Sequence, residues 1–436
     1  MAKRGTKLTA LERSWILYDV GNSAFVLMCA TLIPIFFNAL AEEGGLSSVE
    51  YLAYWGYATS VVTLVTALLS PVLGALADTK GFKKPIFMLC LGVGVVGCCV
   101  MGFARQWLAF PTAVWASPRQ GLPFLMIFVL AKIGYSGSLV YYDSMLSDVT
   151  TPERMDDLSS RGYAWGYIGS CIPFVVCLAL VLGAGAIGLS QLTALSLALL
   201  ITAVWWLVVT LPLLLRYRQV HYAAEGREHA VRQSFVRIGH TLRHLHEDKQ
   251  VFWFLLAFFC YIDGVYTIID MATAYGTALG LDTTGLLLAL LLTQVVAFPS
   301  ALVFGRLSAR YPSTTLIPIC VAAYAGIAVF AFFLATQWQF WVLAVIVGMF
   351  QGGVQALSRS HFAKIIPPEK SGEYFGLFDI CGKGASFLGT MIVSVGTQLT
   401  GSANVGVGSL LALFIIGFVL FRLSCRAGVI TDKASG

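Results

Sequence analysis

Seven charged residues stand inside stretches of sequence that are otherwise almost wholly apolar: Asp19, Lys132, Asp143, Asp263, Asp270, Asp379 and Lys383. A charge at the centre of a bilayer costs about 2.5–3.5 kcal/mol on insertion scales, so each of them predicts a partner or a water-filled cavity. A carboxyl group taken out of water holds its proton more tightly, and a lysine ammonium can bind a carboxylate. These residues therefore predict the binding of protons or of a charged solute.

The depth of each charge follows from the helical rise of about 1.5 Å per residue. We expect Asp19, Asp143 and Asp379 to lie near the cytoplasmic ends of their spans. We expect Lys132, Asp263 and Lys383 to lie near the midplane of the membrane. For Asp19 and Asp143, a polar contact between helices explains the charge as well as a function does. For Asp263 and Lys132, which lie deep in different halves of the chain, we favour a direct functional role.

Two pairs of these charges share a helix face. Asp263 and Asp270 are seven residues apart, which separates them by roughly 10 Å along one face. Asp379 precedes Lys383 by four residues, the favourable orientation for a helical ion pair. This second pair either neutralises itself and anchors its helix or meets the solute directly, and the sequence leaves both interpretations open.

The elements that carry these charges are membrane spans. The 436 residues are 58% hydrophobic and 11% charged, whereas a soluble domain is about a quarter charged. At about 20 apolar residues per crossing, the sequence supplies twelve stretches: 14–41, 51–76, 85–105, 122–147, 158–183, 192–216, 250–280, 284–309, 313–336, 338–366, 373–400 and 405–424. We predict an all-α membrane protein of twelve transmembrane helices.

The basic residues orient these spans in the inner membrane of a bacterium. Nearly all Lys and Arg fall on one side of the predicted topology, and only Arg105 and Arg119 fall on the other, so the positive-inside rule places both termini in the cytoplasm. The basic N-terminus and the run after it resemble a signal peptide, but the run is long and holds Asp19, so we expect an uncleaved first span. Scattered in short loops, the basic residues do not predict nucleic-acid binding.

The chain is predicted to contain two six-helix halves. Residues 1–216 form the N-terminal bundle, 217–249 a cytoplasmic linker with an amphipathic surface helix, and 250–436 the C-terminal bundle. Weak repeats relate the halves: residues 74–78 match 305–309, and Pro152-Glu153-Arg154 matches Pro368-Glu369-Lys370. Duplicated halves around a midplane site are typical of transporters.

Several short motifs suggest enzymes but lack the context that such sites require. Residues 92–97 and 183–188 both read G-x-G-x-x-G, yet neither string follows a strand, so close packing of helices explains them better. The spacing of His240 and His244, with His246 nearby, would place two imidazole groups on one helix face and so suggests a metal site. Their neighbours are basic, however, and no cysteine is near. We therefore expect no enzyme activity, no metal and no cofactor.

Longer motifs resemble a known family. The string from Gly74 to Lys84 resembles the loop signature between the second and third spans of the major facilitator superfamily. The segments 17–25, 261–265, 355–360 and 375–383 look like the vacuolar-effluxer-like branch of that superfamily, whose fungal members are autophagy-related vacuolar amino-acid exporters. The resemblance runs nearly end to end and implies the twelve-helix fold, with spans 1, 4, 7 and 10 lining the cavity.

The resemblance also implies roles for particular residues. Candidates for the solute or for proton coupling are Asp19, Asn22, Lys132, Asp143, Asp263, Gln351 and Gln355, to which the charge analysis adds Asp379 and Lys383. Candidates for a cytoplasmic gate are Gly74, Asp78, Lys83 and Arg161. The chain departs from the family pattern at Asp143 and Ser147, where Asn and Pro are expected, and at Thr390, where Pro is expected. The extra acid puts a neutral amino-acid substrate in question.

These observations predict a secondary transporter that moves a small solute by alternating access. An amino acid, a short peptide or a similar zwitterion is the expected solute, with export the expected direction and protons a candidate coupling ion. A flippase or exporter of a lipid-like amphiphile in the same fold is the alternative. A membrane receptor or scaffold is a third hypothesis, but the loops offer little surface for a partner. We expect a monomer.

Overall fold

The structure, a computed structural model, describes residues 7–43, 45, 48–104, 121–223, 239, 241 and 243–435. Within these ranges the regular structure is helical, with no strand. The α-helices are α1 Ala10–Ala30, α2 Leu32–Glu43, α3 Ser48–Ala77, α4 Lys83–Gly102, α5 Gly121–Ser144, α6 Leu146–Val149, α7 Met155–Leu182, α8 Gln191–Arg216, α9 Lys249–Ala278, α10 Thr283–Leu307, α11 Ser313–Phe332, α12 Gln337–Ile365, α13 Ser371–Thr400, α14 Ala403–Gly408 and α15 Leu411–Ser435.

Each of the twelve predicted spans coincides with helix. In the part of the chain that the structure describes, ten helices are long and apolar enough to cross a membrane, and the bent pair α1 and α2 adds an eleventh, with a bend of 41°. The remaining predicted span, 373–400, lies within the 30-residue helix α13. A backbone whose hydrogen bonds are satisfied within each helix is the solution that hydrocarbon demands. The protein is an integral membrane protein.

The chain divides into two compact units. Unit 1 contains residues 1–69, 81–142 and 165–218, and unit 2 contains residues 70–80, 143–164 and 219–436. Short pieces of the first half, at the ends of α3 and α5 and at the start of α7, thus belong to unit 2. The predicted boundaries at 216 and 249 remain a prediction, and most of the predicted surface helix lies outside the described residues.

An internal repeat is visible in the contacts that each unit makes by itself. In unit 1 the hydroxyl of Tyr18 on α1 hydrogen-bonds Ser138 on α5 at 2.5 Å. In unit 2 the hydroxyl of Tyr261 on α9 hydrogen-bonds Ser358 on α12 at 2.6 Å. A glycine follows each tyrosine by three residues and packs on the last long helix of its half, Gly21 on α8 and Gly264 on α15.

The glycine string in α4 serves helix packing. A methyl group on Gly94 would lie 2.5 Å from the Trp206 ring, and one on Gly97 would lie 2.7 Å from the Ala131 side chain. Gly92, in the same helix, has no other atom within 4 Å of the equivalent position. Two of the three glycines therefore let α4 approach α5 and α8, and helix packing accounts for them.

This contrast gives a matched pair of variants. Gly97→Ala should lower the thermal unfolding temperature of the purified protein, because a methyl group forced against α5 costs about 1–3 kcal/mol of overpacking. Gly92→Ala should leave that temperature unchanged or raise it, since glycine costs a helix about 1 kcal/mol relative to alanine. Equal unfolding temperatures for the two variants would contradict the packing described here.

Candidate functional site

Asp263 is a fully buried charge of unit 2. It lies in the middle of α9 with 0% of its surface exposed. Its Oδ1 accepts a hydrogen bond from the backbone N–H of Gly389 on α13 at 2.8 Å and one from the Thr267 hydroxyl at 3.4 Å. Its Oδ2 has no hydrogen-bond partner among the described residues. One oxygen of this carboxyl group is thus satisfied, and the other is free to hold a proton or meet a cation.

The approach of α13 to this carboxyl group depends on a glycine. A methyl group at Gly389 would lie 2.5 Å from Asp263 Oδ1 and would overlap the Thr267 hydroxyl. Without a side chain, the backbone of α13 comes near enough for its N–H to serve as the donor. A backbone dipole is therefore the partner that stabilises this aspartate, for which the sequence predicted a partner or a water-filled cavity.

A cavity of about 60 Å³ lies in unit 2, and Thr267 connects its wall to Asp263. Thr267, which bonds Asp263, and Gln351 both line it. Most of the wall is apolar, with Ile268, Met271, Leu290, Phe340, Leu343 and Val347 among the lining residues. Gln351 is buried, and its Oε1 has no partner in the described part of the chain. The cavity is an apolar space with a small polar edge.

Lys132 is the central cation of unit 1. Its side chain is half-buried on α5, and its ammonium lies 4.9 Å from the centre of the Tyr135 ring and 6.0 Å from that of Phe25. Cation–π contacts of this kind stabilise a charge without neutralising it. Within the residues described for this unit, no ion pair to Lys132 is found, so its charge is available to an anionic group.

Two further candidates of unit 1 lie on α1. Asp19 and Asn22 are both buried, and the Asn22 amide nitrogen has no hydrogen-bond partner among the residues described. Gly166 of α7 packs near them, since a methyl group there would lie 3.5 Å from the Asp19 Cβ. These side chains line the packed interior between α1 and α7.

Asp143 forms an ion pair with a buried arginine in unit 2. Its Oδ1 lies 3.1 Å from Nη1 of Arg359, which is 2% exposed in α12. Arg359 also donates through Nε to the Ser159 hydroxyl at 2.9 Å and through Nη2 to the Ser159 carbonyl at 3.1 Å, and its guanidinium group stacks 4.4 Å from the Tyr163 ring. The planar guanidinium group matches several acceptors at once. The extra acid of span 4 therefore has a structural partner.

Asp78 caps the first turn of α13. Its two carboxylate oxygens accept hydrogen bonds from the backbone N–H groups of Gly372 at 2.7 Å and Glu373 at 2.8 Å. A helix leaves its first N–H groups unsatisfied and carries positive potential at that end, so a buried carboxylate stabilises both features. Gly74 makes this cap possible, because a methyl group there would overlap the Gly372 carbonyl.

Asp379 is a turn and a half further along α13. Its Oδ2 accepts a short hydrogen bond from the hydroxyl of Ser70. The predicted partner Lys383 has a side chain that lies outside the described residues, so the predicted ion pair stays a prediction. Asp379 and Asp78 thus both join residues 70–80 to α13.

A second set of contacts in unit 2 involves the start of α7. Asp156 pairs with Lys364 of α12 at 2.5 Å, and Asp157 pairs with Arg161 within α7 at 2.9 Å. Gly305 packs on Ser160, where a methyl group would lie 2.9 Å from the serine Cβ. In the internal repeat, Gly305 corresponds to Gly74 and Ala309 corresponds to Asp78. The second repeat therefore lacks the loop aspartate, and the acidic residues Asp156 and Asp157 lie on the neighbouring helix α7 instead.

The structure separates the predicted site residues into three groups. Unit 1 holds Asp19, Asn22, Lys132 and the fully buried Lys83. The cavity side of unit 2 holds Asp263 and Gln351, and Gln355 lies buried one turn further along α12. The third group also lies in unit 2 and makes the contacts described above near the helix ends. Its members are Gly74, Asp78, Asp143, Arg161 and Asp379.

Sequence reasoning missed Arg359. This residue is absent from the predicted site residues, yet it is buried in α12 and joins three elements. Its position inside the predicted span 338–366 and its serine neighbours were the signals that could have identified it. Asp148, Asp156 and Gly372 were also missed, because their roles depend on partners that are distant in sequence.

Comparison with known proteins agrees with this architecture. Residues 10–427 match the family described as "Vacuole effluxer Atg22 like". The chain is similar to the Bacillus subtilis protein named "Uncharacterized MFS-type transporter YxiO", at 40% identity over 96% of this chain and 95% of the relative. It is also similar to "Autophagy-related protein 22" of Coccidioides immitis, at 24% identity over 83% of this chain and 70% of the relative.

The fold of this chain is similar to those of solved transporter structures. The major facilitator superfamily transporter FucP, in an outward conformation, superimposes with a TM-score of 0.69 over 95% of this chain and 97% of its own, at 14% identity. The prediction of the major facilitator fold is confirmed, and so is that of a transporter rather than an enzyme. The full-length match and the YxiO similarity together place this chain in the vacuole effluxer Atg22-like family of major facilitator transporters.

Proposed function

We propose that this transporter exports a small zwitterionic solute, an amino acid or short peptide, by alternating access, and that a proton bound at Asp263 drives the export. The observation that carries the proposal is the fully buried Asp263 carboxyl group, one oxygen of which lacks a partner among the described residues. The description of the family as vacuole effluxer-like supports efflux.

The two charge states of Asp263 explain why a proton is suitable for coupling. When Oδ2 carries a proton, the group is neutral, and Oδ1 keeps its bond from the Gly389 N–H. When the proton leaves, a carboxylate with one unsatisfied oxygen remains in an apolar setting, which is costly unless a cation replaces the proton. A solute ammonium is such a cation, so proton and solute would alternate at this carboxyl group.

Lys132 of unit 1 is a separate candidate, for binding an anionic group. Its ammonium lies beside two aromatic rings, and no ion pair to it is found among the described residues of this unit. An ammonium in such a partly desolvated place binds a carboxylate strongly, because the effective dielectric constant is low. We therefore propose Lys132 as a binding residue for an anionic group.

The contacts of Asp78, Asp143 and Asp379 in unit 2 support a gate at one end of the spans. We propose that this end is cytoplasmic and that both termini are cytoplasmic, as the distribution of basic residues predicts. Each contact links a piece of the first half of the chain to α12 or α13. Breaking and remaking such contacts is what alternating access requires at one membrane face.

A lipid-like amphiphile is the second candidate solute. The largely apolar wall of the cavity beside Thr267 and Gln351 favours it, because an acyl chain needs apolar surface. A thermal-shift screen of the purified protein against amino acids, dipeptides, nucleosides and lipids separates the two. A ligand present at 100 times its dissociation constant adds about 2.7 kcal/mol of stability. A shift with lipids alone would overturn the zwitterion proposal.

Asp263→Asn tests proton coupling. In proteoliposomes, uptake of the amino acid or dipeptide that the screen identifies should lose its response to an imposed proton gradient, because the amide cannot release a proton. Counterflow exchange without a gradient should continue. Asp270→Asn is the matched control, since Asp270 is exposed on the same helix and its variant should keep gradient-driven uptake.

Gradient-driven uptake that is unchanged in Asp263→Asn would rule out Asp263 as the proton site. Asp263→Asn could also lose both gradient-driven uptake and exchange while its unfolding temperature still shifts with the ligand. That result would exclude a role of Asp263 confined to proton coupling.

Asp78→Ala tests the gate. Loss of the carboxylate removes two charge-assisted hydrogen bonds from the first turn of α13. This contact between Asp78 and α13, here called a latch, should therefore open more often. The measurement is the labelling rate of Ser144→Cys, a buried reporter in unit 2, by a membrane-impermeant maleimide from the cytoplasmic side of a cysteine-free protein. Asp78→Asn should restore part of the cap, because asparagine also caps helices. Identical labelling in parent and Asp78→Ala would refute the latch.

A further inference from the structure

The segment that follows α8 is extended and makes its hydrogen bonds to the gate loops. Residues 219–223, here called the strap, belong to unit 2 and have no helical hydrogen bonds of their own. The side-chain amide of Gln219 donates to the Ala77 carbonyl at 2.9 Å, and the N–H of Ala223 donates to the Asp78 carbonyl at 2.8 Å. The Lys80 ammonium lies 4.8 Å from the centre of the Tyr222 ring. Both ends of the strap are thus fixed to residues 77–80.

The middle of the strap is held by Asp148. The Oδ1 atom of this residue accepts hydrogen bonds from the backbone N–H of His221 at 2.9 Å, from that of Val220 at 3.3 Å and from the His221 ring at 3.0 Å. The Asp148 side chain is 0% exposed, whereas that of His221 is 34% exposed. Hydrogen bonds to a buried carboxylate are the strong kind, and losing the acceptor would leave several donors unsatisfied.

The strap therefore joins two segments that are about 70 residues apart in sequence. One is the turn after α3, where the side chain of Asp78 caps α13 and its carbonyl accepts the N–H of the strap residue Ala223. The other is the short helix α6, where Asp148 lies five residues after Asp143 of α5, which pairs with Arg359 of α12. Each segment thus has a strap contact next to one of two latches, the Asp78 cap of α13 and the Asp143–Arg359 pair.

We propose that the strap makes the two latches open and close as one, and that Asp148 is the positioning residue that holds it. The strap is also the first part of the linker between the halves, so displacement of the linker would loosen both latches. This role depends on alternating access but not on the identity of the solute or of the coupling ion.

Two variants break the strap at different points. Asp148→Asn removes the charge that receives the three hydrogen bonds, and Ala223→Pro removes only the N–H that reaches the Asp78 carbonyl. Asp282→Asn is the control: Asp282 also accepts a backbone N–H, from Gly285 at 2.7 Å, but at the start of α10. Folding of each variant is checked by gel filtration and thermal unfolding.

The readout is again maleimide labelling of Ser144→Cys in a cysteine-free protein in sealed vesicles. Asp148→Asn weakens a set of charge-assisted hydrogen bonds, so it should raise the rate of cytoplasmic labelling by roughly tenfold. Ala223→Pro should also raise this rate, but by a smaller factor. Asp282→Asn should label like the parent. Labelling needs no solute and no proton gradient, so failure of the proposed function would leave this test intact.

A purely structural role predicts a different result, namely a lower unfolding temperature with parent-like labelling at low temperature. That result in folded Asp148→Asn would overturn the proposal. Faster labelling in Asp148→Asn without any increase in Ala223→Pro would also overturn it, because Asp148 would then act without the strap. If Asp148→Asn does not fold, Ala223→Pro and His221→Ala decide the question by the same criterion.

Discussion

The lack of water in the hydrocarbon core is the constraint on which the rest of this structure depends. Every polar group carried into that region must find its partner within the protein. The buried carboxyl groups of unit 2 meet this demand in different ways: Asp143 pairs with a guanidinium group, Asp78 accepts two backbone N–H groups, and Asp263 accepts one. These partners explain where the charges can stay and which of them can change state.

Backbone donors require glycine at the point of approach. Gly389 brings the α13 backbone to Asp263, and the contact between Gly74 and Gly372 brings the start of α13 to Asp78. Backbone groups remain when side chains titrate or move, so both aspartates keep a fixed dipole beside them. Unlike a lysine or arginine partner, such a dipole lowers the cost of the charge without cancelling it. This arrangement is why we propose Asp263 as the proton site and Asp78 as part of the gate.

The gate contacts and the cavity depend on the same helices. Helix α13 contributes Gly372 to the Asp78 cap and Gly389 to Asp263, and α12 contributes Arg359 to one latch and Gln351 to the cavity wall. A rigid helix transmits a displacement at one end to the other, because its backbone hydrogen bonds resist local deformation. Under the proposed function, solute or proton binding beside these helices would bias the latches without any separate relay.

The sequence by itself determined the membrane class, the spans and the family, because hydropathy and loop charge are local properties that hydrocarbon selects directly. It also identified Asp263 and Asp78 as unusual residues. Only the tertiary structure decided their partners, since Gly389 lies 126 residues from Asp263 and the start of α13 nearly 300 residues from Asp78. Arg359 lies inside a predicted span, but no local pattern identifies the partners of Arg359 or of Asp148, which are distant in sequence. Which backbone N–H faces which carboxylate is set by helix packing, and a one-dimensional pattern does not encode that geometry.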